Sequence, residues 1–249
     1  MKIKFFYWAK IIFIVMRAAI HQPYFLPYPG FFHKLSISDV FVIMDDVQYD
    51  KRFTNRNRII ANDGWTWITV PINKEHKFSP NSEVKINNEI NWRDMHWKKI
   101  SHSYKNSKFF HLYGDYLENL YKKEWTYLFD LDFESIKQII NWLGIKIEII
   151  RESELNVTSN STQRLVDVCK KIGADCYVSG VGGRNYIDEN IFLTNNLTLE
   201  YQNYTHPEYP QRMSKSFIPD LSILDLLFNV GPQSMQVISG EKKLDYVPN

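Results

Sequence analysis

The stretch STQRLVDVCKKIGADCYVSGVGGRNYIDENIFLTNNLTLEY, residues 161–201, decides the fold. Its opening places Leu165, Val166, Cys169 and Ile172 on one stripe at three- and four-residue spacing, which predicts a helix, and Gly173 closes it. Asp175–Ser179 then changes to a short apolar run of the kind buried on both faces of a parallel sheet. After a glycine-rich turn, a short helix is expected around Tyr186–Phe192 and a strand at Leu197–Tyr201. Upstream, Lys146–Ile150 predicts another strand. Strand, helix, strand, helix, strand at this spacing implies parallel pairing with right-handed crossovers.

The N-terminal part repeats the pattern. Ala18–His21 predicts a strand stopped by Pro23, Phe31–Ile37 a helix, and Val40–Met44 (VFVIM) a second doubly buried strand that ends at Asp45-Asp46. The expected fold class is therefore α/β, a Rossmann-like three-layer core with a mainly parallel sheet. Between the two α/β stretches, residues 92–144 read helical: Trp92, Met95, His96, Lys99 and Ile100, then Leu112, Tyr116 and Leu120, then Phe133–Leu143 with Gly144 as its cap. This section is expected to be a helical insertion. Shorter strands are expected at Trp65–Ile72 and Glu83–Ile86. With no repeat or linker to divide them, residues 16–249 read as a single α/β unit.

The first segment, MKIKFFYWAKIIFIV, is apolar and aromatic. Lys10 interrupts it, no small-residue cleavage site precedes Met16, and Arg17 ends the run short of the roughly 20 residues a membrane span needs. Residues 1–15 are expected to be an extension ahead of a natural start at Met16. The 249 residues contain 44% hydrophobic and 23% charged side chains, which excludes a disordered chain. Lys+Arg number 30 against 28 Asp+Glu, so the chain lacks the basic excess of a DNA binder, and any anion must be held locally. The two cysteines, Cys169 and Cys176, are too few for a disulfide framework and fall in apolar positions. A cytoplasmic location follows as the expectation, with neither thiol a nucleophile.

In an open parallel sheet, ligands bind beyond the carboxyl ends of the strands. Three such ends carry unusual chemistry. The first offers His21 and Gln22. The second offers Asp45, Asp46, Gln48 and Tyr49, and Asp45 could hold magnesium beside a substrate phosphate; Asp46, adjacent and so facing the other way, reads as a turn residue. The third offers Gly180, Gly182, Gly183, Arg184 and Tyr186, where backbone N–H groups could meet an anion, or where a tight turn simply needs positive φ. Residues 49–60, YDKRFTNRNRII, read as a basic loop whose Asn55, Arg56 and Asn57, with Lys51, Arg52 and Arg58, suit phosphates and sugar hydroxyls. Asp130 and Asp132 read as capping residues, Asp132 as an N-cap.

Farther on, THPEYPQ supplies His206, Tyr209 and Gln211, with His206 either a general base or a packed polar residue. RMSKS, residues 212–216, resembles the phosphate-binding loop of class I aminoacyl-tRNA synthetases, but the H-x-G-H element that accompanies that loop is missing. His21 is followed by Gln22-Pro23 instead.

Taken in order, AIHQPYFLPYPGFFHKL, SDVFVIMDDVQYDKRFTNRNRI, WITVPI, QRLVDVCKKIGADCYVSGVGG, HPEYPQ and FIPDLSILDLLFNVG resemble the WbqC-like family from about Met16 to beyond Gly231. The family's motif positions fall on His21, Gln22, Pro23, Gly30, Asp45, Gln48, Tyr49, Asn55, Arg56, Asn57, Gly180, Gly183, Tyr186, His206, Tyr209 and Gln211. The resemblance implies a transferase of bacterial O-antigen and other surface polysaccharide biosynthesis. It would attach glycine or another acyl group to an amino sugar; acyl or aminoacyl transfer onto a nucleotide-linked amino sugar is the activity expected here.

For that activity, Arg56, Asn57 and the Gly180–Gly183 turn are expected to bind the anionic part, and His21 or His206 to take the amine proton. The cofactor is unknown. An acyl or aminoacyl donor is expected, on a carrier protein or as aminoacyl-tRNA, or made with ATP and Mg. No DNA partner and no membrane insertion are expected. Two other readings stand beside this one: an ATP-using HUP-type nucleotidyltransferase or ligase relying on His21 and Lys215, and a non-catalytic binding protein of the polysaccharide machinery.

Overall fold

The computed structural model describes residues 15–62 and 64–244. The expectation for Met1–Val15 falls outside them, Val15 apart. The strands are β1 (Arg17–His21), β2 (Val40–Ile43), β3 (Arg56–Ala61), β4 (Gly64–Thr69), β5 (Glu148–Arg151), β6 (Cys176–Ser179) and β7 (Thr198–Tyr201). Five of them form one wholly parallel sheet in the order β5-β2-β1-β6-β7. The helices are α1 (Pro29–Ser36), α2 (Trp92–Tyr104), α3 (Phe110–Lys122), α4 (Leu128–Leu143), α5 (Ser161–Ile172), α6 (Glu189–Thr194), α7 (Ile223–Val230) and α8 (Ser234–Ile238).

Strand alternation sorts the central strands between two apolar layers. Ala18 and Ile20 of β1, with Val40 and Val42 of β2, pack with Leu165, Val166 and Cys169 of α5 and Phe192 of α6. Ala19, Phe41 and Ile43 face the opposite way, onto Phe31, Phe32 and Leu35 of α1 and the helical section. The sheet is thus the middle of three layers, as the α/β pattern predicts.

Several local expectations need correction. Residues 56–61 are not part of a basic loop but strand β3, paired antiparallel with β4, because Asn57, Ile59 and Ile60 point inward. Glu83–Ile86 is not a strand: Asn81–Glu83 forms a 3-10 turn, and only isolated bridges tie Ile86 to Ile72 and Lys85 to Tyr127. Helix α4 opens at Leu128, so Asp132 is no N-cap; it lies fully buried inside the helix. The glycine turn itself coils into a 3-10 helix over Val181–Asn185, and α6 starts only at Glu189 with Asp188 as its cap.

Candidate functional site

The chain runs from β1 outward to β2 and β5, then crosses back to β6 on the other side of β1. The reversal lies between β1 and β6, the position where open α/β sheets leave a crevice. His21 ends β1 there and Ser179 ends β6. Residues 22–28 fold back over the crevice as a turn clamped by buried side chains. Asn57 Nδ2 donates to the carbonyls of Phe25 at 3.2 Å and Leu26 at 2.8 Å, and Ser222 Oγ donates to Leu26 at 2.9 Å. Leu26 is held at φ 45°, in the left-handed region that a leucine seldom adopts.

His21 Nδ1 lies 2.8 Å from the Gln22 carbonyl, so that nitrogen carries the hydrogen and Nε2 keeps a lone pair. The imidazole packs edge-on against Tyr24 at 4.5 Å and Phe31 at 5.1 Å. Burial, reinforced by the Lys34 charge, pulls its pKa down to about 3. Lys34 went unnoticed in the sequence. It sits on the apolar face of α1, is 2% exposed, and donates to the Ile20 carbonyl at 3.3 Å; burial pulls its amine down to about 7.

Across the crevice, none of Gly180, Gly182 and Gly183 takes a positive φ, so the turn does not need glycine for its conformation. Gly183 is required by packing: a Cβ there would lie 2.1 Å from Ser179 Oγ and 2.8 Å from Ile187 Cδ1. At Gly180 and Gly182 a Cβ would meet nothing within 4 Å. Beside this open backbone, Val181 and Tyr186 stand exposed at 57% and 67%. Arg52, ion-paired with Asp50 at 2.7 Å, lies within electrostatic reach of both Tyr24 and Tyr186 and so joins the rim. Arg184 stacks over Tyr201 at 4.0 Å, and Gln22 Oε1 is buried with no hydrogen-bond partner among the described residues.

The chain matches the WbqC-like protein family over residues 22–237. It belongs to that family. A Mycobacterium tuberculosis (strain ATCC 25618 / H37Rv) relative, named "Uncharacterized protein Rv1507c", is 32% identical over 220 residues, covering 88% of this chain and 95% of its own length. No solved structure matches. In this WbqC-like chain the family match contains the crevice turn, the glycine turn and the hairpin, and it begins one residue after His21.

The other expected site residues of the WbqC-like chain lie apart from the crevice or inside its framework. Asp45 is fully buried and saturated: Arg151 reaches it at 2.9 and 2.8 Å, and Ser153 through N at 2.8 Å and Oγ at 2.7 Å. Among the described residues no group of three or more His, Cys, Asp or Glu is arranged to hold a metal ion. Asn55 Nδ2 donates to the Val70 carbonyl at 2.8 Å, and Arg56 lies over Trp67 at 4.4 Å. Gln48 is exposed. Tyr49 is buried, its hydroxyl has no hydrogen-bond partner among the described residues, and burial together with Asp132 raises its pKa. Asp132 is itself pushed well above the carboxylate range by burial.

His206 lines a different cavity of about 520 Å³, shared with His33, Tyr204, Lys242 and Lys243, which none of the crevice residues touches. Its Nδ1 faces the Pro207 carbonyl at 2.9 Å, and burial lowers its pKa. Tyr209 is fully buried, and Gln211 Nε2 donates to Asp225 and to the Ile218 carbonyl, each at 2.9 Å. Both cysteines are buried, which pushes Cys169 up to about 12 and Cys176 to about 11. Among the described residues no helix is long and apolar enough to cross a membrane.

Proposed function

We propose that this WbqC-like protein transfers an acyl or aminoacyl group, with glycine the first candidate, to the amine of a nucleotide-linked amino sugar. The observation that carries this reading is His21: its Nε2 lone pair stands at the β1/β6 reversal, opposite a glycine turn open at Gly180 and Gly182. Backbone N–H groups of that turn, with Arg52 and Arg184, would hold the diphosphate, and Tyr186 would stack on the base. The amine nitrogen attacks the acyl carbonyl, a C–N bond forms, and the bond to the donor's leaving group breaks while that group takes up a proton. His21 Nε2 receives the amine proton. An imidazole held this far down is weakly basic alone, and an anion bound beside it raises its pKa toward the useful range.

In this reading Asp45, Asn55 and Asn57 shape the site through the bonds described above, and His206 belongs to a second pocket. Surface polysaccharide assembly in the cytoplasm is the setting we infer. The test is mass spectrometry of purified protein incubated with a panel of nucleotide amino sugars and acyl donors. A mass gain on the sugar that requires His21 is the expected result, and no gain with any pair would overturn the reading.

One observation favours a second reading. RMSKS follows β7, the last strand of the sheet, with Met213 at φ 71° and Lys215 exposed. A HUP-type nucleotidyltransferase would use His21 and Lys215 on an ATP phosphate. ATP/pyrophosphate exchange that disappears in Lys215→Ala would select it.

A further inference from the structure

A line of aromatic rings leads from the outer hairpin to the crevice. Trp65 meets Trp67 at 5.4 Å, Trp67 meets Phe53 at 6.3 Å, Phe53 meets Tyr24 at 5.6 Å, and Tyr24 meets His21 at 4.5 Å. The strand register produces it. Arg58 pairs directly with Trp67, so Arg56 and Arg58 of β3 share a face with Trp65 and Trp67 of β4. Arg58 accordingly lies over Trp65 at 5.2 Å and Arg56 over Trp67 at 4.4 Å. Lys99 reaches the Trp67 carbonyl at 3.2 Å, and Lys51 and Arg52 are exposed where the line turns inward. Trp65 is 44% exposed, while Trp67, Phe53 and Tyr24 are each part-exposed. Among the described residues the acidic partners of these cations are the part-exposed Asp50, at 2.7 Å from Arg52, and the exposed Asp220, at 3.9 Å from Arg58, pairs of the kind that contribute little in water.

Cations alternating with rings along a strip suit a single-stranded nucleic acid, whose phosphates meet the cations and whose bases stack on the rings. A neutral saccharide would leave the row of cations, Lys51, Arg52, Arg56 and Arg58, with no anion to meet. An acidic carrier protein gains nothing from rings in a row that ends at a buried histidine. We infer that this strip is the docking track for the single-stranded 3′ end of an RNA that carries the aminoacyl group as an ester. The inference deepens the transferase reading, on which its chemistry rests: the amino sugar nitrogen forms the C–N bond, the ester C–O bond to the ribose breaks, the amine proton goes to His21 Nε2, and the ribose oxygen is protonated.

The test is fluorescence anisotropy of a labelled short single-stranded RNA ending in CCA, titrated with the full chain at low and raised salt. Saturable binding that weakens with salt is expected, with the duplex of the same sequence bound more weakly. Trp65→Ala, at an exposed ring, is expected to weaken binding roughly tenfold with an unchanged thermal midpoint. Arg56→Gln provides a second variant and is expected to flatten the salt dependence. Absence of saturable binding, or equal binding by wild type and both variants, would overturn the track, as would tryptophan quenching by a neutral oligosaccharide in place of RNA. If the RNA binds in the expected way but aminoacylated RNA yields no acylated sugar, the track stands and the transferase reading fails.

Discussion

Lys34 lies buried directly beneath the strand end that carries His21, and among the described residues no carboxylate offsets the charge of either. A Lys and a His sharing a dry site each disfavour the other's charge, so His21 keeps its Nε2 lone pair at neutral pH. The arrangement costs stability. The folded-state pKa of Lys34, about 7, lies below the ordinary 10.5, so between those values the unfolded chain holds the extra proton and stability rises with pH.

Lys34→Met therefore removes a penalty that is full below pH 7. Its thermal midpoint is expected to exceed wild type at pH 6, by about 2–4 °C for each kcal/mol relieved, and to converge on wild type toward pH 10. Product formation is expected to be kept or to rise at the same time, because loss of the Lys34 charge lets the His21 pKa climb toward the useful range. Calorimetry at the two pH values checks the first point; a midpoint below wild type at pH 6 would show that Lys34 stabilises the fold.

Acid should unfold the protein through its buried imidazoles. His21 and His96 are held at about 3 and about 4 by burial, below the ordinary 6.5, so their contribution is complete above pH 6.5 and is lost as pH falls toward 4 and below. Asp225 works in the opposite sense, because burial raises it to about 6 and its contribution is lost as pH rises through that value. Burial lowers His33 and His206 as well and raises Asp132 and Glu152, so four imidazoles stand against three carboxyls and leave a net loss. The thermal midpoint is expected to drop between pH 6.5 and 4, and a flat profile would contradict these assignments.

The glycine turn separates packing from binding. Gly183→Ala drives a Cβ onto the buried Ser179 hydroxyl and is expected to lower the thermal midpoint by several degrees. Gly182→Ala enters open space, so it should fold like wild type while weakening nucleotide sugar binding in a calorimetric titration. Unchanged affinity in Gly182→Ala would remove this turn from the anion site.

Asp45 is expected to act on stability before anything else. Asp45→Ala leaves Arg151 and the Ser153 N–H without their acceptor, a loss on the order of 3 kcal/mol in urea unfolding. Mg²⁺ alone should not raise the wild-type midpoint, since both carboxylate oxygens are already taken.

The sheet was legible because VFVIM and DCYVS are short apolar runs whose burial on two faces needs helices on both sides. The strand order was not, yet that order is what brings His21 and Gly180 together. Strand β3 hid behind its charges: RNRIIA reads as a basic loop until the Arg56 and Arg58 guanidinium groups are seen to lie over Trp67 and Trp65. Asp132 suggested a cap because a carboxylate inside an apolar helix face runs against its solvation. Lys34 escaped for the same reason, since a lysine between His33 and Leu35 is taken for surface. The pairing of Asn57 with the Leu26 carbonyl could not be read at all; it joins residues far apart in the chain, and no local pattern announces it.

The central claim is that chemistry occurs at His21 in the β1/β6 crevice and not at His206 in the separate cavity. It is tested most directly by comparing acylated amino sugar formed by His21→Gln and His206→Gln under conditions where both are folded. The account predicts a loss of about 100-fold or more for His21→Gln and near wild-type yield for His206→Gln. Full activity in His21→Gln, or a loss confined to His206→Gln, would contradict it.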